Sequence, residues 1–201
     1  MNASASKRSA DATLSLQAAV TPAQARHLRA RIARVAGWLG EVWAGTDVPP
    51  PFTWASLSSL PAWALGTPAE LERLALLCGA LFAAPALRVC LDAGPLLRVR
   101  GLIGAAALDR VLAVPGLPPV APPWPANQDG ERDTLRAWGV ALMIMSLPEL
   151  PLRESLARML SSSVDDAPLL PASIAVRMVG LAHQILTTPD AGNAAREERL
   201  S

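Results

Sequence analysis

The stretch Leu71–Ala113, LERLALLCGALFAAPALRVCLDAGPLLRVRGLIGAAALDRVLA, decides how the chain reads. It is the longest apolar region, and its cations are all arginines: Arg73, Arg88, Arg98, Arg100 and Arg110. Pro85, the pair Gly94-Pro95 and the run Gly101-Leu102-Ile103-Gly104 punctuate it. Apolar residues broken at these points predict two or three short helices folded back on one another in the middle of an all-helical domain. No residue in the stretch has the surroundings of a reaction centre.

Outward from that centre, composition supports the same class. The chain has 201 residues, 51% of them hydrophobic and 17% charged, enough for one domain with a sizeable core. Tyr is absent and Phe occurs twice, so the aromatic strand formers are thin. Nineteen prolines predict short helices and frequent breaks. The expectation is all-α: seven to nine short helices with proline-rich connections, residues 21–187 forming the domain between an N-terminal arm (1–20) and a tail (188–201).

Local signals place the elements. Thr21-Pro22-Ala23-Gln24 has a capping residue, proline at the first helical position and Gln at the third. Leu28, Ile32, Val35, Leu39 and Val42 then fall within a sector of about 80°, predicting a helix from Pro22 to Trp43. Residues 47–61 form a proline-rich corner carrying Phe52 and Trp54. Thr67-Pro68-Ala69-Glu70 repeats the start signal, and the helix it opens is expected to stop near Ala84, before Pro85. A short helix over 85–91, closed by Gly94-Pro95, and two further pieces at 96–100 and 105–113 complete the central stretch. Residues 115–130 carry six prolines, as a linker or as a loop held down by Trp124. Helices are predicted over 131–147, with Leu135, Trp138, Leu142 and Met145 on one side, and over 152–160 and 171–186.

Charge and special residues narrow the chemistry. The net charge of +1 gives no global attraction to nucleic acid or anionic lipid. Cys78 and Cys90 read as two buried thiols in a reducing compartment, the alternative being one disulfide. No apolar segment follows the basic pair Lys7-Arg8 as a secretory signal would require. The runs 74–87 and 137–147 fall short of the ~18–20 residues of a membrane span, so a cytoplasmic protein is expected. His27 and His183 lie far apart and away from the cysteines, which leaves no metal-ligand spacing, and no cofactor motif is present. Ser161–Ser163, His183 and Asp165 or Asp166 make a triad only on paper, because no G-x-S-x-G surrounds a serine. Gly101–Gly104 lacks the Lys-Ser/Thr of a phosphate loop, and Glu70, Glu72 and Asp92 have no partner acid. The strongest functional feature read from residues alone is Arg26, Arg29, Arg31 and Arg34, four arginines within nine residues. They fit a solvated helix face, a partner surface or phosphate contacts.

A resemblance adds to this. The segment Ala84–Gly104, APALRVCLDAGPLLRVRGLIG, resembles a pattern of the SctK family of bacterial type III secretion proteins, roughly a-P-x-L-R-x-x-I-D-G-x-x-L-x-x-L-R-x-x-x-G. Phe52–Leu57 with Leu60-Pro61 is similar to that family's P-S-W-L…L-P segment. Leu91 stands where the family often has Ile, Ala93-Gly94 shifts the Asp-Gly, and Thr53 replaces the usual approach to Trp54. The resemblance implies a non-enzymatic, all-helical, cytoplasmic component of the sorting platform, peripheral at the inner-membrane apparatus. Such a component links the cytoplasmic domain of the inner-membrane ring to the pod that carries the export ATPase and its stator. It implies protein partners only, with no nucleic acid, membrane insertion or small-molecule substrate. Arg88, Asp92, Arg98 and Arg100 are the expected partner-contact residues. The alternative from the residues is a small regulatory nucleic-acid binder using the Arg26–Arg34 helix. A catalytic role for His183 is the third.

Overall fold

Thr67 opens the helix around which the rest packs. In the computed structural model its backbone N–H donates to a Glu70 side-chain oxygen at 2.6 Å, and its Oγ1 accepts from the Glu70 N–H at 3.3 Å. This reciprocal pair, with Pro68 at the first helical position, satisfies donors that a helix start leaves orphaned. The structure describes residues 60–90, 92–117, 130–160 and 170–188, together with Arg29, Ala33 and Gly37. Among these it is all-α, with six α-helices and one 3-10 turn. After the turn Ala62–Leu65 come α1 (Pro68–Val89), α2 (Ala93–Ile103), α3 (Ala105–Ala113), α4 (Glu131–Ser146), α5 (Leu150–Met159) and α6 (Ala172–Thr187).

The central stretch differs from its expected form in three places, one of them Gly101, through which the helix expected to stop at Arg100 runs on to Ile103. Pro85 does not end α1, which runs unbroken through it for 22 residues. Proline removes the N–H that would bond the Leu81 carbonyl, but Leu81, Phe82, Ala83, Ala84 and Leu87 are all buried around it. Burial on both sides offsets one missing hydrogen bond near the helix end. Nor does Gly94-Pro95 close a helix; it lies in the first turn of α2. The Asp92 carboxylate accepts from the Gly94 N–H at 2.9 Å, and Pro95 occupies a first-turn position where no amide donor is needed. Gly104 is the one true breaker, with φ of 89°, in the region open mainly to glycine. Its N–H bonds the Arg100 carbonyl and its carbonyl accepts from Leu108, so it ends α2 and starts α3 at once.

The helices α1 and α4 form the centre. Residues 74–84 of α1 and 139–144 of α4 are buried on every side. Leu142 and Leu135 are buried as the periodicity predicts, Trp138 and Met145 are half-buried, and Trp138 meets Phe82 edge to face at 5.7 Å. The two helices touch backbone to backbone. A Cβ placed on Gly79 would lie 1.9 Å from the Leu135 carbonyl oxygen, and one on Gly139 would lie 1.7 Å from that of Ala75. The glycines are what let the helices come so close. The last helix, α6, lies against both, burying Ala175, Met178, Val179 and Ala182, while α3 bridges α1 and α6. Helix α2 packs on α1 and α3, burying Pro95 and Val99 and half-burying Leu96, Leu102 and Ile103. Among the described residues no helix is long and apolar enough to cross a membrane.

The helix expected over 22–43 lies outside the described residues except for Arg29, Ala33 and Gly37, which are helical and exposed. The corner at 47–61 falls outside them up to Leu60, as do the arm (1–20), most of the 115–130 segment with Trp124, and the tail from 189.

Gly79→Ala and Gly139→Ala are each expected to destabilise the protein by about 3 kcal/mol, because the obstacle is carbonyl backbone that no side-chain motion can clear. Thermal melting followed by circular dichroism checks this. Gly101→Ala, in α2 where nothing lies within 4 Å of the added methyl, should instead hold or raise the melting temperature.

Candidate interaction surface at the α1–α2 corner

The four residues expected to meet a partner, Arg88, Asp92, Arg98 and Arg100, all stand at the end of α1 or on α2, and the structure gives three of them internal work. The Arg88 Nε donates to the Leu112 carbonyl at 2.9 Å, and one of its terminal nitrogens donates to the Val114 carbonyl. Asp92 caps α2, as described above. Arg98 makes a two-pronged ion pair with Glu131 at the start of α4, at 2.7 and 2.8 Å. The Glu131 side chain is only 3% exposed. The hydrogen bond to Glu131 raises the Arg98 pKa above its ordinary value, so the guanidinium stays charged and the pair bridges α2 to α4. Arg100 is exposed on α2 with no ion pair among the described residues.

Arg88 belongs to a wider pattern. Arg153 donates to the Leu147 carbonyl at 2.7 Å, at the end of α4. Arg136 pairs with Glu72 of α1 and donates to the Leu160 carbonyl at 3.0 Å, at the end of α5. Arg110 reaches the Ile185 and Thr188 carbonyls at 3.3 and 3.0 Å, at the end of α6. Each arginine places a cation on carbonyls that a helix C-terminus leaves unpaired, at the negative end of its dipole. Spacing along the chain does not disclose these pairings, which span up to 78 residues.

What the corner leaves open is apolar. Val89 is 76% exposed and Leu97 is 61% exposed. On α2, Ala93, Leu97, Arg100 and Gly101 share a sector of about 100° and are all exposed, opposite the buried Pro95 and Val99. Leu97 was not among the expected contact residues. Its signal was in the sequence, as the odd apolar residue on the face away from Pro95 and Val99.

The other candidate residues are dispersed. His183 is half-buried on α6 and lines a cleft of about 470 Å³ with Trp63, Glu70, Arg73, Leu186 and Thr187. The cleft offers a cation, an imidazole and a hydroxyl, but the Glu70 carboxylate is already held by the Thr67 N–H. The serines and acids of the paper triad, 161–163, 165 and 166, lie outside the described residues, as do His27, Arg26, Arg31 and Arg34. Among the described residues no group of His, Cys, Asp and Glu is placed to hold a metal ion. Cys78 and Cys90 are both free, but only Cys78 is buried; Cys90, expected to be a second buried thiol, is half-exposed because it caps the end of α1. Burial pushes the Cys78 thiol far above its ordinary pKa.

No family model, curated protein or solved structure matches the chain.

Two measurements check this description. Arg98→Ala should lower the melting temperature by several degrees, because it strands a buried carboxylate. The double variant Arg98→Met/Glu131→Met should recover most of that loss. In the native protein a maleimide should label Cys90 and leave Cys78 unmodified until denaturant is added, read by mass spectrometry of the two tryptic segments.

Proposed function

We propose that the protein is a non-enzymatic cytoplasmic adaptor of a bacterial type III secretion apparatus, peripheral at the inner membrane. It would link the inner-membrane ring to the pod and the ATPase–stator sorting platform. The observation that carries the reading is where the segment resembling the SctK family falls. Ala84–Gly104 makes up the last turn and a half of α1, the connection, all of α2 and the Gly104 break. Its polar signature residues, Arg88, Asp92 and Arg98, hold that corner together, while its apolar residues Val89 and Leu97 stay outside it. A segment that builds its own corner and leaves apolar side chains on the outside suits a module that acts by binding another protein. Leu150, on α5, is a further exposed large apolar side chain away from that corner, of the kind a link between two partners would use.

Affinity capture of the tagged full-length protein from its own cells, at low and high salt with mass spectrometry of the co-purifying proteins, tests the proposal. Ring, pod or ATPase–stator components recovered at both salt concentrations are the expected result. Recovery of nucleic acid that is lost at high salt, without secretion proteins, overturns it in favour of the Arg26–Arg34 helix as a phosphate-binding element.

A further inference from the structure

We infer that the open face of α2, with the adjoining end of α1, receives an amphipathic helix of a different protein that carries acidic residues beside its apolar stripe. Leu97 is the central apolar contact, Val89 extends it, and Arg100 is the cation that meets the acids. The inference deepens the adaptor reading, on which it rests for there being a partner to receive.

The face is small and its charge is one-sided. It consists of Ala93, Leu97, Arg100 and Gly101 on a helix of 11 residues, about 16 Å long, with the exposed Val89 ending α1 just before that helix starts. The only acid in the connection and helix is Asp92, and its carboxylate is engaged by the Gly94 N–H. Arg98 is neutralised by Glu131. Arg88 is turned onto neutral carbonyls, so its charge is not cancelled by an acid. Among the described residues Arg100 thus has no acid opposite it on this face, and an acidic partner supplies one. The low, small side chains on either side of Leu97 let a second helix lie close; no atom lies within 4 Å of where a Gly101 Cβ would be.

Size argues against a second copy of this chain. A stable dimer buries about 800 Å² on each partner, more than three turns of one helix present. It also argues against a lipid surface: helices that lie in a bilayer interface carry several basic residues and a long apolar face, whereas the open face of α2 has Leu97 as its one large apolar residue and Arg100 as its one arginine. A single helix laid across α2 is the occupant that matches both the area and the charge.

The test replaces Leu97 with the photo-cross-linkable residue p-benzoylphenylalanine in the full-length protein in its own cells. The same replacement at the exposed Val176, on α6, is the control. The expected product is a cross-link from position 97, and not from 176, to an acid-flanked amphipathic helical segment of another protein. That segment, made as a labelled peptide, should bind the unmodified protein at least ~10-fold more tightly than it binds Leu97→Ser or Arg100→Glu protein. Both side chains are exposed, so unchanged circular dichroism verifies that the variants fold. Cross-linking to a second copy, to this chain's own residues, to a basic segment or to nothing overturns the inference, as does equal affinity for the variants. A cross-linked segment of the expected chemistry from a protein outside any secretion apparatus leaves the inference standing and removes the adaptor reading. A secretion component cross-linked through a basic segment does the reverse.

Discussion

The contact of α1 and α4 at Gly79 and Gly139 sets the positions of everything else. Two helices that meet carbonyl to glycine cannot slide or rotate without losing the only surfaces flat enough to touch. Each of the two then lies buried on all sides over its middle turns, which is why residues 74–84 and 139–144 are apolar all round instead of along one stripe. The last helix lies in the groove between them. Glu131, at the start of α4, is brought beside α2 by the same crossing, and Arg98 reaches it there. The α1–α2 corner is therefore held at its far side by the contact that defines the core.

Arginine does the electrostatic work in this fold. Short helices joined by turns expose many carbonyl ends, and a chain with few lysines closes several of them from elsewhere. Arg88, Arg110, Arg136 and Arg153 each reach a helix end other than their own, or the chain just beyond it, with a planar group that can serve two carbonyls or a carbonyl and a carboxylate. This changes how the composition reads. An abundance of arginine near apolar segments suggests contacts with a partner, yet four of these side chains are spent inside the molecule, and Arg100 is left as the exception on α2.

Much of the fold was legible, and what was missed has a physical pattern. Short-range signals read correctly: Thr67 to Glu70 as a helix start, Gly104 as a break, and the periodic apolar residues of α4. Pro85 and Gly94-Pro95 misled because their local meaning depends on what surrounds them. Buried leucines carry α1 through the first, and Asp92, two residues before Gly94, turns the second into a beginning. Gly79 and Gly139 carry no local signal, since their significance lies in a carbonyl more than 50 residues away. For the candidate surface, the corner and its four charged residues were visible as a cluster. That Arg88, Asp92 and Arg98 are each engaged by groups of their own chain, and that Leu97 lies in the open, depends on helix orientations that only packing determines.

The distance along the chain between the two central helices has a consequence for synthesis. Helix α1 is complete at Val89, but α4 starts at Glu131. At about 5–20 residues per second, the ribosome needs roughly 2–8 s to make the intervening chain, and longer to release α4 from its exit tunnel. During that time α1, apolar on every side over its middle turns, has at most α2 and α3 against it and lacks α4 and α6, which cover the rest. Such a segment is what holdase chaperones bind, so the same all-round apolarity that makes α1 the centre of the finished molecule makes it the most exposed liability while the molecule is being made.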